Sequence, residues 1–422
     1  MFQDSKSKTA ESYPASNLFS SIKNGINWIK NPYDALDKLS RSNGRAFWLS
    51  LPGFGRVFIA GTPSLIEAIR KEPALTGGIG MTFLRPVLGE NSVIMLHGNE
   101  HKCRRHQLAP LFNEVFFDHA EELTERYAQE EIFQASGIIS AHSLFSKINL
   151  RVITELLVPK ENESQQKEIS SAVEIFLTSF SNPLFLFAKP LQVSYKGRTP
   201  WDRMRKNRNE LVSLIEPTVK EHPVFGQLLK DTAIEEIIAL ILFGHETAAS
   251  AGAWFIYHLL SHPSVTNALL LESAPSASWE AAINESMRLC PTVVHLTRVA
   301  TSDTTLTYQD AHGEEATVLF RKGEKILPCS YLSQRDPAVF PDPDLFDPKR
   351  FSNGESLFRN SFFPFGFGAR ICIGKHLALR QMQIIASTLL TTRSVTLVNK
   401  NLGPERNQVV IMPKKGCLIK LD

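Results

Sequence analysis

A cysteine near the C-terminal end of the chain lies among glycines, an arginine and a phenylalanine at fixed spacing. Phe365, Gly368, Arg370, Cys372 and Gly374 form the pattern F-x-x-G-x-R-x-C-x-G. A cysteine thiolate is a soft anionic ligand for iron, and it needs lowered basicity and fixed geometry. Backbone N–H groups of a glycine-rich turn at a helix start supply both, and the glycines let the backbone pass close to a flat cofactor. A structural cysteine beside a glycine turn is the alternative for this segment alone.

An acid and an alcohol lie side by side in a long apolar segment. The run Gly244-His245-Glu246-Thr247 falls within residues 231–260, which are apolar on most sides and predict a buried central helix. A buried carboxylate is costly unless it is paired or hydrated, and a threonine can bond to the carbonyl oxygen four residues earlier. We expect a widened turn, a water site and a proton relay. A helix kink with a solvated acid explains the same residues without chemistry.

Two further pairs of residues are spaced to share a helix face. Glu285 and Arg288 form E-x-x-R, and Arg350 follows in a proline-rich stretch. Such ion pairs are common on solvated helices, so this pair alone is weak evidence. His101 and Arg105 are four residues apart, and two donors on one face suit the two propionates of a haem. A plain basic helix is the alternative for these two.

Four motifs follow one another along the chain: the central-helix G-H-E-T, the E-x-x-R pair, the stretch with Arg350 and the Cys372 loop. In this order they resemble the motifs of the cytochrome P450 family, and the resemblance covers nearly the whole chain. It implies a mainly α fold with a small β-rich part and the long central helix over the haem. The sequence has no internal repeat, linker or low-complexity tract, so we expect a single domain over residues 1–422, with residues 1–15 mobile. The cofactor implied is haem b, with its iron ligated by Cys372 and O2 as co-substrate.

The resemblance assigns a role to each motif. It implies that Glu246 and Thr247 deliver protons during dioxygen cleavage, and that Glu285, Arg288 and Arg350 form a structural network. The implied cofactor-binding residues are His101, Arg105, Arg298, Phe365, Gly366, Arg370, Cys372 and Gly374.

The expected substrate pocket is overwhelmingly apolar. Phe243 departs from the family pattern, which usually has Ala or Gly there, and its phenyl group would narrow the pocket or redirect the substrate. A terpenoid, fatty-acyl or polyketide-like molecule of secondary metabolism is the predicted substrate class. Residues 173–193 are apolar enough for a lid, and ordinary helix core is the alternative. The pocket positions are Met81, Phe83, Leu84, Ala239, Leu242, Phe243, Val293, Val294, His295 and Val410. Only His295 among them has a polar group to orient a ligand, and a core histidine is the alternative.

The implied activity is monooxygenation, in which one oxygen atom from O2 enters a hydrophobic organic substrate by hydroxylation or epoxidation. The chain contains no flavin or iron–sulfur segment, so electrons from NAD(P)H must come through a separate ferredoxin or flavodoxin with its reductase. Four basic residues either dock such a carrier or form a solvated face: Lys102, Arg104, Lys375 and Arg380. Of these, Lys102 and Arg104 are expected to point to solvent.

Peroxygenase, isomerase or dehydratase activity on the same fold is the alternative to monooxygenation, although such enzymes often lose the acid–alcohol pair. A haem carrier or sensor would have no use for that pair.

Composition limits the remaining classes. Among 422 residues, 43% are hydrophobic, which is enough to bury a large core, and the net charge of +3 does not indicate nucleic-acid binding. The five cysteines have no C-x-x-C spacing, which argues against a zinc site or a disulfide framework and favours the cytoplasm. The first residues are polar, so we expect no membrane anchor.

Several elements must position these residues. The sequence predicts a β-hairpin over 46–51 and 56–60, a helix over 277–289, and short strands over 296–299, 317–320 and 325–327. A helical pattern covers 99–157 with a break at Ser136-Gly137. Another helix runs from the cysteine loop to about residue 390, and strands follow at 394–398 and 409–412.

Overall fold

The computed structural model describes residues 25, 27–28, 31–51, 55–78, 84–158, 163–179, 192–272, 274, 276–310, 313–354, 358, 360–407 and 410–422. They divide into two compact units that alternate along the chain. The first unit falls within Met1–Gly80, Arg288–Phe346 and Asn353–Cys372, and the second within Met81–Met287, Asp347–Ser352 and Ile373–Asp422. The single domain over residues 1–422 stays a prediction, and the expected mobility of residues 1–15 lies outside the described residues.

Helices supply most of the described residues. In chain order they are α1 (Pro32–Asn43), α2 (Pro63–Lys71), α3 (Arg85–Leu88), α4 (Gly98–Leu108), α5 (Glu114–Gln134), α6 (Ala141–Leu157), α7 (Glu163–Ser179), α8 (Pro200–Val219), α9 (Lys230–Ser261), α10 (Pro263–Leu270), α11 (Ala277–Leu289), α12 (Ser330–Ser333) and α13 (Lys375–Thr392).

The strands are short. In chain order they are β1 (Ala46–Leu51), β2 (Gly55–Ala60), β3 (Leu75–Thr76), β4 (Gly137–Ser140), β5 (Arg298–Ala300), β6 (Thr304–Gln309), β7 (Glu315–Phe320), β8 (Lys325–Pro328), β9 (Val395–Leu397), β10 (Pro404–Asn407), β11 (Val410–Pro413) and β12 (Leu418–Leu421).

The first unit contains the larger β part. Its five-stranded sheet has the order β1-β2-β8-β5-β3, and β6 and β7 form a separate ribbon. The predicted hairpin is the antiparallel pair β1–β2, in which Ala46 lies opposite Ala60. Phe58 packs edge-on against Phe320 and Trp48, at ring-centroid distances of 5.2 and 5.1 Å. This aromatic contact stabilises the sheet by burying large apolar area.

The second unit is built around α9, a 32-residue helix whose buried residues occupy most of its sides. Helices α6 and α9 approach closely at Gly252, where a Cβ atom would lie 2.3 Å from Cδ1 of Phe145, so no side chain fits there. Two small sheets complete the unit, with orders β4-β12-β9 and β10-β11.

Helix α9 is also the one described helix long and apolar enough to cross a membrane. In its most apolar window, however, 72% of the residues are buried inside the protein, as expected for a core helix.

Candidate active site

The loop that contains Cys372 is closed by backbone hydrogen bonds within the first unit. The N–H of Cys372 donates to the carbonyl oxygen of Phe365 at 2.9 Å, and that of Gly366 donates to Phe363 at 2.9 Å. Gly366 and Gly368 have φ angles of +75° and +70°, which glycine adopts without strain. The loop ends two residues before Gly374, the N-cap of α13, and Cys372 is exposed. Its sulfur is therefore presented for coordination.

Two of the predicted cofactor-binding arginines converge at Gly77 in the same unit. A Cβ atom at position 77 would lie 2.6 Å from Cδ of Arg370 and 3.1 Å from Nη1 of Arg298. Any residue other than glycine would therefore displace the arginines. Gly77 was not predicted as a site residue, and the Gly77-Gly78 pair was the only signal for it.

The Arg298 side chain tests whether these residues fit an anionic cofactor. The residue is 8% exposed. Its guanidinium donates to the carbonyl oxygens of Thr297 (3.0 Å) and Phe367 (3.4 Å), and no carboxylate of the described residues pairs with it. Burial lowers the pKa of Arg298 to about 10. A buried guanidinium without a counter-ion favours binding of an anion such as a haem propionate, so the residues present fit the group.

His101 and Arg105 lie on one face of α4 in the second unit, as predicted. His101 is buried and Arg105 is half-buried. Their role in cofactor binding stays a prediction.

Arg104 does not point to solvent, so that expectation is wrong. Its Nη1 donates to Oε1 of Glu236 at 2.8 Å and to the carbonyl oxygen of Asn91 at 2.6 Å. Glu236 is fully buried, and a buried carboxylate requires a charged or hydrogen-bonding partner. Lys102, by contrast, is exposed as expected.

Glu246 lies in a pocket of hydrogen-bond donors within the second unit. Nε2 of His142 is 2.9 Å from its Oε1, and Nδ2 of Asn407 donates to the same oxygen at 2.5 Å. Nε2 of His245 is 3.8 Å from Oε2. The side chains of His142 and Glu246 are only 11% and 12% exposed. The acid of the motif is therefore paired, rather than solvated at a kink.

The pKa of Glu246 lies below its ordinary value. Burial acts to raise this pKa, but the hydrogen bond and charge of His142, the charge of His245 and the hydrogen bond of Asn407 together outweigh it. Burial lowers the pKa of His245. Glu246 is thus held ionised by donors from α6 and β10.

Thr247 uses its hydroxyl within the helix. Oγ1 donates to the carbonyl oxygen of Phe243 at 2.8 Å, four residues earlier, as expected for a threonine inside a helix. Gly244 allows Ile153 to pack closely against the helix, since a Cβ at position 244 would make a tight contact of 3.3 Å with Cγ1 of Ile153. The widened turn that we expected is not observed, because α9 is a continuous α-helix through this region. The Thr247 bond is accommodated without interrupting the helix.

The residues of the predicted acid–arginine network belong to both units, and the network of all three stays a prediction. In the second unit, Nε of Arg350 lies 3.4 Å from Oε1 of Glu285, which is fully buried and also accepts from the N–H of Asp347 at 2.9 Å. In the first unit, the buried guanidinium of Arg288 donates to the carbonyl oxygens of Gln334, Pro343 and Leu345 at 3.0, 2.7 and 3.1 Å. The Glu285 carboxylate and the Arg288 guanidinium thus each bind part of the proline-rich segment over residues 334–350.

The predicted pocket residues are distributed over both units. Leu84, Ala239 and Leu242 belong to one apolar cluster of the second unit, and Phe243 packs against it. Val410 is buried in the same unit. Met81 and Phe83 lie outside the described residues, as does most of the expected lid over 173–193.

In the first unit, the segment Val293–His295 is held by residues after β8. The carbonyl oxygen of Val294 accepts from the N–H of Ser330 at 3.0 Å, and the His295 ring lies 5.6 Å from that of Trp28. The role of these residues in substrate binding stays a prediction.

His142, Asn407 and Glu236 were missed by sequence reasoning. They lie in segments with no recognisable motif, and each acts through a residue more than 100 positions away. Only the requirement that buried acids have partners could have prompted a search for them.

Comparisons with known proteins agree with these motifs. The family model described as cytochrome P450 matches residues 278–421, which include Glu285, Arg350 and Cys372. A curated relative named putative cytochrome P450 138, from Mycobacterium bovis, is 25% identical and covers 93% of this chain and 92% of its own length. Putative cytochrome P450 135B1 from the same organism is 22% identical over 92% of this chain and 86% of its own length.

Solved structures share the fold. Retinoic acid bound cyanobacterial CYP120A1 has a TM-score of 0.78 at 21% identity and covers 94% of this chain and 96% of its own. CYP175A1 from Thermus thermophilus has a TM-score of 0.77 at 22% identity, with 96% and 98% covered. The mainly α fold with a small β-rich part is confirmed as the cytochrome P450 fold.

The family predicted from the motifs, cytochrome P450, is confirmed. In general terms this is a family of haem-thiolate monooxygenases, which are oxidoreductases that bind haem through a cysteine thiolate and use O2. Its members generally use redox partners and hydrophobic substrates.

Proposed function

We propose that this protein inserts one oxygen atom from O2 into a hydrophobic organic substrate, by hydroxylation or epoxidation, with haem b ligated by Cys372. The observation that carries the proposal is the closed loop over 363–372, which presents the exposed Cys372 inside the segment that matches the family model. Bound haem supplies the redox chemistry of O2 activation, assisted by electron donation from the thiolate.

The chain itself supplies charge and protons. Arg298 and Arg370 offer guanidinium groups for a propionate in the first unit, and His101 and Arg105 offer donors in the second. Glu246 holds and releases a proton at its carboxyl oxygens, and the hydroxyl of Thr247, one residue further along α9, passes it on. Since Thr247 already donates to Phe243, its hydroxyl must rotate to deliver that proton.

The substrate class is supported by the apolar character of the predicted pocket positions. The similar structure of CYP120A1 is described with bound retinoic acid, which is a largely apolar molecule. We propose a hydrophobic substrate of similar character for this chain. Electrons come from NAD(P)H through ferredoxin or flavodoxin and a reductase, in the cytoplasm.

The basic residues offered for carrier docking differ in availability. Arg380 pairs with Glu121 through Nε and Nη2, at 2.7 and 2.8 Å, and Arg104 is bound to Glu236. Lys102 is exposed, so of these four residues it is the best candidate for contact with an acidic carrier.

Thiolate ligation is tested by the absorption spectrum of the reduced, carbon-monoxide-bound protein. We expect the red-shifted Soret band of a haem thiolate, and its loss in Cys372→His. Cys103→Ser is the matched control, because Cys103 is also an exposed cysteine. A normal band in Cys372→His, or its loss in Cys103→Ser, contradicts the assignment of the ligand.

Proton delivery is tested by substrate turnover with added ferredoxin and reductase. Thr247→Ala should lower product formation about a hundred-fold, the usual scale for general acid catalysis. Thr124→Ala is the control, because Thr124 makes the same bond to the carbonyl four residues earlier (Ala120, 2.6 Å) in α5. Equal turnover of Thr247→Ala and wild type counts against the relay. Turnover with peroxide alone at the same rate favours a peroxygenase instead.

A further inference from the structure

We propose that His142 is a positioning residue that sets the ionisation of Glu246 and replaces the protons that Glu246 gives up. The proposal rests on the oxygen-activating role proposed for Glu246. No motif assigns a role to His142, which is the second residue of α6 and lies 104 positions from Glu246.

The geometry gives the two oxygens of Glu246 different roles. Oε1 accepts hydrogen bonds from Nε2 of His142 at 2.9 Å and Nδ2 of Asn407 at 2.5 Å, so it is occupied from two directions. Oε2 has only His245 near it among the described residues, at 3.8 Å, which is beyond hydrogen-bond distance. The carboxylate is therefore fixed through Oε1, and Oε2 is available for proton exchange.

His142 is the donor able to exchange a proton. Among the described residues, the titratable groups that face Glu246 are His142 from α6 and His245 from α9, while the side-chain amide of Asn407 from β10 is neutral. His245 is fully engaged within its helix, with Nδ1 2.8 Å from the carbonyl oxygen of Ile241. Burial disfavours its protonated form. An imidazole N–H can be transferred to a carboxylate oxygen that it is hydrogen-bonded to, whereas the N–H of the Asn407 amide cannot.

The proton balance is simple. After Glu246 has given up its proton, the N–H bond at Nε2 of the His142 imidazolium breaks and an O–H bond forms at Oε1. The neutral imidazole then regains a proton from a hydronium ion of the solvent, which leaves as a water molecule. Rotation of the neutral carboxyl group, which is held less strongly at Oε1 than the carboxylate is, exchanges its two oxygens. His142 is 9% exposed, so contact with solvent is retained at one edge.

The first test measures the ionisation of Glu246 directly and needs no turnover. Infrared spectra of the haem-loaded, substrate-free ferric protein are recorded across a pH series, and the carbonyl band of the protonated acid is assigned by its loss in Glu246→Gln. In wild type this band should appear only at acid pH. In His142→Leu it should persist at neutral pH, because burial then acts on Glu246 without its charged partner. An unchanged pH dependence in His142→Leu overturns the proposal.

The second test separates proton supply from hydrogen bonding. His142→Gln keeps a donor of similar reach but does not titrate, so kcat should fall about ten-fold or more with KM unchanged, and the pH profile of kcat should shift. His119→Gln is the matched control, because His119 is an exposed histidine beside Glu122. Wild-type kcat and pH profile in His142→Gln overturn the proton-supply role.

The thiolate spectrum should be normal in every His142 variant. A wild-type protein without that spectrum contradicts the proposed function, whereas a normal spectrum with an unshifted infrared band contradicts only the role of His142. The two failures are therefore distinguishable.

Discussion

Two glutamates on the same helix, ten residues apart, solve the problem of burial differently. Glu236 is fully buried, and its Oε1 accepts from Nη1 of Arg104 at 2.8 Å and the N–H of Val93 at 2.7 Å. Its Oε2 has no hydrogen-bond partner among the described residues. Glu246 is slightly more exposed and is held by His142 and Asn407.

Their acidities diverge as a result. Burial raises the pKa of Glu236 to about 7, although the N–H of Val93 and the Arg104 guanidinium lower it, and the neighbouring Glu235 adds to the rise. The pKa of Glu246 is instead lowered, because its partners outweigh burial. A cation in contact does not by itself keep a buried acid ionised. The depth of burial and the charge of the remaining neighbours decide whether the carboxyl group is ionised.

The two acids therefore suit different tasks. Glu236 fastens α4 and the segment 91–93 to α9 through a contact that weakens when the carboxyl is protonated. Glu246 keeps its charge and can accept and release protons. The following measurements test this difference, starting with the largest expected effect.

A third buried acid tests how much a partner is worth. Arg350→Ala removes the guanidinium beside Glu285 and should lower the free energy of unfolding by about 3–5 kcal/mol, because a buried charge loses its partner. Urea unfolding measures this change, and Lys349→Ala at the exposed neighbouring position is the control. A loss below about 1 kcal/mol would show that Glu285 does not depend on Arg350.

Glu236 should give the protein a pH-dependent stability. Below its ordinary pKa of 4.5 the carboxyl is protonated in both folded and unfolded states. As pH rises to about 7, only the unfolded state loses its proton, so stability falls. The total is about 3 kcal/mol, since each pKa unit corresponds to about 1.4 kcal/mol.

In Glu236→Gln, the free energy of unfolding should therefore no longer fall between pH 4.5 and 7. Urea unfolding at each pH measures this free energy. Glu67→Gln is the control, because Glu67 is an exposed acid paired with Lys71. If the free energy of unfolding depends on pH equally in wild type and Glu236→Gln, a group other than Glu236 causes the dependence.

Double-mutant cycles at pH 6 and pH 8 should show that the coupling energies of Glu246 and Glu236 respond differently to pH. The coupling between His142 and Glu246 should be about 1 kcal/mol or more, because a lowered pKa keeps the carboxylate charged until the pH falls through it. The coupling between Arg104 and Glu236 should be larger at pH 8 than at pH 6, because Glu236 becomes charged only near pH 7. If both coupling energies changed equally with pH, the pKa values of Glu236 and Glu246 would not differ as stated.

An exposed ion pair should contribute least to the free energy of unfolding. Lys38 and Asp34 are 2.7 Å apart on α1, with side chains 69% and 49% exposed. Lys38→Gln should change the free energy of unfolding by less than about 0.5 kcal/mol, and added salt should remove the effect. A change above about 1 kcal/mol would show that exposure does not govern these pairs.

Much of the fold could be predicted because it follows from local pattern. The helix over 277–289 has the predicted bounds, and the hairpin strands differ by a single residue, at Gly55. The C-terminal strands were found within two residues. Strands β3, β4, β6, β10 and β12 were missed, and α9 was predicted one residue short at each end. Short strands in this protein depend on partners far along the chain, such as β4 on β12.

The sequence by itself determined the class of chemistry and the contacts made within one turn. The Cys372 loop and the Thr247 bond to Phe243 connect residues close together in the chain, so residue type and spacing specify them. The direction of Arg104 and the partners of Glu246 were decided only by tertiary structure. Their partners lie 132, 104 and 161 positions away. The ionisation of a buried acid depends on burial and on the donors that remote segments bring to it, and neither quantity is present in the local sequence.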